Sequence, residues 1–141
     1  MTQVVFHLLP TTAPKARLRY LIHLLDQTLW GHSIDLRLPD EQAAAKLDQQ
    51  LWAWPSHGFL PHALGAARTD APIRLWGAKP PEIGEILINL HPEWFPHFSG
   101  YNQVIELLDQ SDALLARGRA RYRAYRRLGI TPQLIRPEEL P

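Results

Sequence analysis

Residues 3–29 read QVVFHLLPTTAPKARLRYLIHLLDQTL, and the fold follows from how this stretch divides. Residues 3–9 (QVVFHLL) are short, apolar and β-branched at their centre, the pattern of a buried strand. TTAP follows. Thr11 or Thr12 is expected to cap a helix, with Pro14 near its first turn, where a missing N–H costs nothing. Leu18, Leu21, Ile22, Leu25 and Leu29 then recur at i, i+3, i+4, i+7 and i+11, which lays one apolar stripe along a helix. Gly31 is the expected stop.

The rest of the chain continues this alternation. Residues 33–37 (SIDLR) alternate polar and apolar and read as a second strand. Asp40 is placed to cap a second helix whose inner face is Ala43, Ala44, Leu47 and Leu51. Prolines and glycines break the periodicity from Trp54 to Pro72, which reads as a long loop. Residues 73–76 (IRLW), 86–90 (ILINL) and 104–108 (VIELL) are further short strands, and 92–98 (PEWFPHF) is expected to form a turn of helix. A last helix is predicted over about 111–127. Ala113, Ala116, Ala120 and Ala124 recur on one of its faces, and small residues there suit close packing on a sheet. Leu128 and Gly129 end it. Strands alternating with helices predict a three-layer α/β fold with a mainly parallel sheet. The expected organisation is a single α/β domain over 1–130 and a proline-rich, loosely held tail over 131–141.

At 141 residues and 45% hydrophobic, the chain suits a single domain with a real core. It has no cysteine, which excludes disulfide scaffolds and thiolate metal sites. MTQVVFHLLP does not read as a signal peptide, and no window reads as a transmembrane helix, so a cytoplasmic location is expected. The net charge is only +1, but residues 117–127 hold six arginines and no acid, leaving the rest of the chain net acidic.

An α/β fold invites a nucleotide, yet the first strand-to-helix turn, LLPTTAPKA, contains no glycine. A pyrophosphate needs glycines there so that backbone can approach it. Neither GxGxxG nor GxxxxGK occurs, and there is no GxSxG nucleophile elbow. His57 and His62 share one loop and His91 and His97 another, but neither pair has the i, i+4 spacing of HExxH. These histidines are expected to cap turns or face solvent. No enzyme, cofactor or metal site is expected.

Two features stand out. Arg119, Tyr122, Arg123 and Arg126 fall at i, i+3, i+4 and i+7 and share one face of the last helix. Arginine pairs with carboxylates in planar, bidentate fashion, and Tyr122 adds flat apolar surface beside the charges. The face suits an acidic peptide or a phosphate backbone; the plainer reading is a solvated face whose arginines pair with nearby acids. The second feature is the aromatic and proline cluster LWAWP at 51–55 followed by GFLPH at 58–62, which suits either core or interface anchors.

Together these segments resemble the chi subunit family of bacterial DNA polymerase III. The resemblance is carried by LDQQLWAWPSHGFLPHAL at 47–64, API at 71–73, ILINL at 86–90 and ARGRARYRAYRRLGI at 116–130, in order along nearly the whole chain. It implies a Rossmann-like fold that binds no nucleotide and a non-catalytic accessory role in DNA replication. It also implies two protein contacts. One is to the psi subunit of the clamp loader, through Trp52 and Phe59, on a surface that a helicase partner can share. The other is to the acidic C-terminal tail of single-stranded DNA-binding protein, which ends in a phenylalanine and its carboxylate. That tail would meet Arg119, Tyr122, Arg123 and Arg126, each charged hydrogen bond contributing about 1.5–3 kcal/mol before screening. The alternative is direct binding of single-stranded nucleic acid by the arginine-rich helix. Gly118, inside that helix, departs from the expected pattern and costs about 1 kcal/mol relative to alanine.

Overall fold

The computed structural model describes residues 1–54 and 60–141. The chain runs β1 (Gln3–Leu8), α1 (Pro14–His23), β2 (Ile34–Arg37), α2 (Glu41–Ala53), β3 (His62–Leu64), β4 (Ile73–Trp76), β5 (Gly84–Asn89), β6 (Tyr101–Leu108), α3 (Asp112–Arg127) and β7 (Gln133–Ile135). Among the described residues the strands form one seven-stranded sheet in the order β3-β4-β2-β5-β6-β1-β7. Every pairing is parallel. The α/β three-layer expectation holds. Among the described residues no helix is long and apolar enough to cross a membrane.

Both faces of the central strands are covered, as an all-parallel sheet requires. Ile34, Leu36, Ile86, Ile88, Ile105 and Leu107 point to one face, where α1 and α2 pack on them. Val4, Phe6, Leu87, Val104 and Leu108 point to the other, under α3 and the aromatics Phe95, Phe98 and Tyr101. The predicted stripe of α1 is buried at Leu21, Ile22, Leu25 and Leu29. The α-helix gives way at Leu24–Thr28 to a π-helical turn closed by Leu29 N–H on Leu24 O at 2.9 Å. Gly31, at φ +87°, then turns the chain toward β2. The expected threonine cap is not made. Ala13 occupies the cap position, and Thr11 Oγ1 instead accepts the Ala13 N–H at 3.1 Å. Asp40 does cap α2, its Oδ1 accepting the Ala43 N–H at 2.7 Å.

Three local expectations change. The loop foreseen from 54 to 72 contains β3, a short strand defined by pairing with β4 rather than by any periodicity of its own. The helical turn foreseen at 92–98 lies later, as a 3₁₀ turn at Phe98–Gly100 that leads into β6. Residues 133–135, in the stretch read as a tail, pair with Val5, Phe6 and His7 of β1 at the edge of the sheet.

The largest correction concerns α3. Ala113, Ala116 and Ala120 are exposed and Ala124 is half-buried. The helix instead docks through Gly118, Arg121 and Tyr125. A Cβ on Gly118 would stand 2.4 Å from Leu108 Cδ1, so the glycine is what lets α3 reach β6. The helix ends in a Schellman turn. Ile130 N–H donates to Tyr125 O and Gly129 N–H to Arg126 O, each at 3.0 Å, with Gly129 at φ +83°.

Candidate functional site

What fixes the face that α3 shows to solvent is a polar row across the sheet. Arg37, Asn89 and Glu106 are paired neighbours on β2, β5 and β6, and Phe6 of β1 continues the row. An arginine, an asparagine and a glutamate inside a sheet must be fully hydrogen-bonded to be tolerated. They are. Glu106, wholly buried, accepts from Arg121 Nη1 at 2.6 Å, Tyr125 OH at 3.0 Å and Asn89 Nδ2 at 3.2 Å. Arg121 also donates to the carbonyls of His91 and Glu93. Arg37 donates to Glu93 O at 2.7 Å and Ala78 O at 2.9 Å, and lies 5.0 Å from the Phe95 ring centroid. Burial pushes the Glu106 carboxyl up, opposed by the Arg121 charge and the donors around it, and burial likewise pushes the Tyr125 hydroxyl up.

With Arg121 and Tyr125 held inward, the opposite side of α3 faces out. Arg119, Tyr122, Arg123 and Arg126 are all exposed, so the structure brings the four sequence-predicted residues onto one open face. Tyr122, 37% exposed, sets its ring edge-on to Phe6 at 5.8 Å, which fixes the base of the ring and leaves its outer side open. Arg126 Nη1 donates to Thr131 Oγ1 at 2.9 Å. Among the described residues, Arg121 is the one arginine of the 117–127 run with a carboxylate partner. Arg119 and Arg123 are thus solvated, as the plainer reading expects, but have no acid partner among the described residues.

Trp52 sits in the last turn of α2, 58% exposed, with its ring tilted against His62 at 4.5 Å. Trp54 is half-buried against the core, with the Arg19 guanidinium 5.9 Å from its ring. The second residue read with Trp52, Phe59, lies outside the described residues, as does His57. The remaining histidines of the two loops have local partners. His62 is buried, its Nδ1 2.7 Å from Leu60 O. His91 Nδ1 accepts the Glu93 N–H at 2.9 Å, and His97 Nε2 stands 3.3 Å from Glu82.

Phe6, Glu106 and Arg121 escaped the sequence reading as contributors to this surface. Glu106 had a signal, a lone carboxylate inside the apolar run VIELL. Arg121 had none, being one arginine among six.

The family model for the DNA polymerase III chi subunit, HolC, matches residues 1–133. A relative from Pseudomonas aeruginosa named DNA polymerase III subunit chi is 33% identical over 139 residues, covering 94% of this chain and 95% of its own. On both counts, this chain belongs to the chi subunit family of DNA polymerase III.

Proposed function

We propose that the chain is a non-catalytic accessory subunit that joins two protein partners during DNA replication. Through psi it attaches to the clamp loader, and through α3 it holds the acidic C-terminal tail of single-stranded DNA-binding protein. The observation that carries this reading is the pair of exposed guanidiniums of Arg119 and Arg123, which have no carboxylate partner among the described residues, on the same helix face as Tyr122, whose ring rests on Phe6. Two arginine forks suit the carboxylates of an acidic tail, and the open side of an anchored tyrosine ring suits a terminal phenylalanine. Arg126 extends the same face. Trp52, exposed at the end of α2, is the anchor assigned to psi, with Phe59 beside it in sequence and a helicase partner able to compete there.

The test is a calorimetric titration with a peptide of the acidic tail. Binding is expected to the parent protein and to be lost with Tyr122→Ala, with Arg123→Ala and with a peptide lacking its last phenylalanine. A Trp52→Ala variant should keep the tail and lose psi. Failure of the parent to bind the peptide at low salt would sink the assignment. Binding of single-stranded DNA by the purified chain, abolished by the same two substitutions, would put nucleic acid on this face instead.

A further inference from the structure

A cavity of about 370 Å³ opens where β2, β5 and β6 end, between α1 and α2 on one side and α3 on the other. The C-terminal edge of an open parallel sheet is where such folds hold ligands. The wall is made of leucines, among them Leu18, Leu38, Leu47, Leu90 and Leu114. The rim is cationic, with Lys15, Arg17, Lys46, Arg117 and Arg121, and no carboxylate lines it among the described residues.

Two of these cations are already neutralised, Arg17 by Asp109 and Arg121 by Glu106. Lys15, Lys46 and Arg117 have no carboxylate partner among the described residues. Lys15 and Lys46 are exposed, whereas Arg117 is half-buried beside Arg121. Burial, and then the Arg121 charge, hold its pKa below the ordinary arginine value. A guanidinium partly withdrawn from water next to a second one, facing a leucine wall, is the electrostatic complement of an anion. The backbone offers that anion little. The first turn lacks glycine, Pro14 opens α1 without an N–H, and the Ala13 N–H is taken by Thr11 Oγ1. Side chains must therefore hold the charge, and the leucines must cover whatever carries it.

We propose that this cavity binds a small organic carboxylate, its anionic end on Arg117 and Lys46 and its apolar body on the leucine wall. The site is separate from the proposed tail surface. Arg117 and Arg121 lie on the side of α3 that faces the sheet, and Arg119 and Arg123 on the side that faces solvent.

Octanoate is the probe, with octanol and inorganic phosphate as its apolar and anionic halves. In an NMR titration of the full chain, octanoate should shift the backbone amides of Leu18, Leu47, Leu90 and Leu114 saturably, while octanol and phosphate at equal concentration should not. Arg117→Gln should weaken octanoate roughly tenfold, the loss expected for one charged hydrogen bond. Lys46→Glu changes an exposed residue and serves where Arg117→Gln disturbs folding; it too should weaken binding. Octanoate should leave tail-peptide binding intact. No saturable shift, equal binding of octanol or of phosphate, or unchanged affinity in a folded variant would each overturn the proposal.

Discussion

Glu106 on β6 and Arg121 on α3 form an ion pair at 2.6 Å, with 0% and 6% of their side chains exposed. The pair acts as a rotational key. Arg121 reaches Glu106 only when α3 is turned so that Tyr125 also points inward, and that rotation is what presents Arg119, Tyr122 and Arg123 to solvent. The pair need not add stability over a well-packed apolar replacement, but removing one partner leaves a buried charge alone.

Arg121→Met should therefore destabilise the protein by about 3–5 kcal/mol, the usual cost of orphaning a buried charge. Pairing it with Glu106→Leu should recover much of that loss. Urea unfolding of the two single variants and the double variant measures the coupling. Additive losses would mean that the pair does not act as a unit.

Gly118→Ala sets two effects against each other. Alanine should favour the helix by ~1 kcal/mol, but its Cβ would stand 2.4 Å from Leu108 Cδ1. Overpacking of a core costs about 1–3 kcal/mol. A net loss of ~1 kcal/mol is expected. In a Leu108→Val background the same substitution should become neutral or stabilising. A stabilising Gly118→Ala in the parent would show that the helix does not need its close approach to β6.

His7 gives the fold a pH dependence. It lies on β1 with Nδ1 2.7 Å from Tyr20 OH, and burial lowers its pKa to about 4 from an ordinary 6.5. The unfolded chain binds this proton below pH 6.5, whereas the folded chain refuses it until about pH 4. The stability contributed by keeping His7 neutral is thus present above 6.5 and declines as pH falls toward 4. Its slope approaches ~1.4 kcal/mol per pH unit at most. Urea unfolding from neutral to mildly acid pH should be flatter in His7→Gln than in the parent; equal slopes would rule His7 out as the source.

Tail-peptide affinity should be salt-sensitive because Arg119 and Arg123 are exposed. Raising the salt from ~0.05 to ~0.5 M should weaken binding severalfold, as surface charge contacts are screened over the Debye length. Tyr122→Phe should keep most of the affinity, since the expected contact uses the ring and not the hydroxyl. A salt-independent affinity would argue that the arginines are bystanders.

The alternation of elements, the covering of the sheet by α1 and α2, and the four-residue face of α3 were legible before any contact was known. Each of these is written in short-range spacing, such as the stripe from Leu18 to Leu29 or the i, i+3, i+4, i+7 set beginning at Arg119. Asp40 likewise announced its cap through a contact only three residues away. What spacing could not decide was which side of α3 faces the sheet. The alanines predicted one answer, and the buried Glu106, reached from Arg121 across 15 residues, imposed another. An unpaired carboxylate in the sheet costs more than small residues gain by close packing. Assembly of the whole sheet made Gly118 a point of contact rather than a weakness, and put Phe6 beneath Tyr122. It also decided that β3 and β7 exist, since each is three residues long and held by partners distant in sequence. Long-range pairing of that kind leaves no periodic trace in the segments it joins.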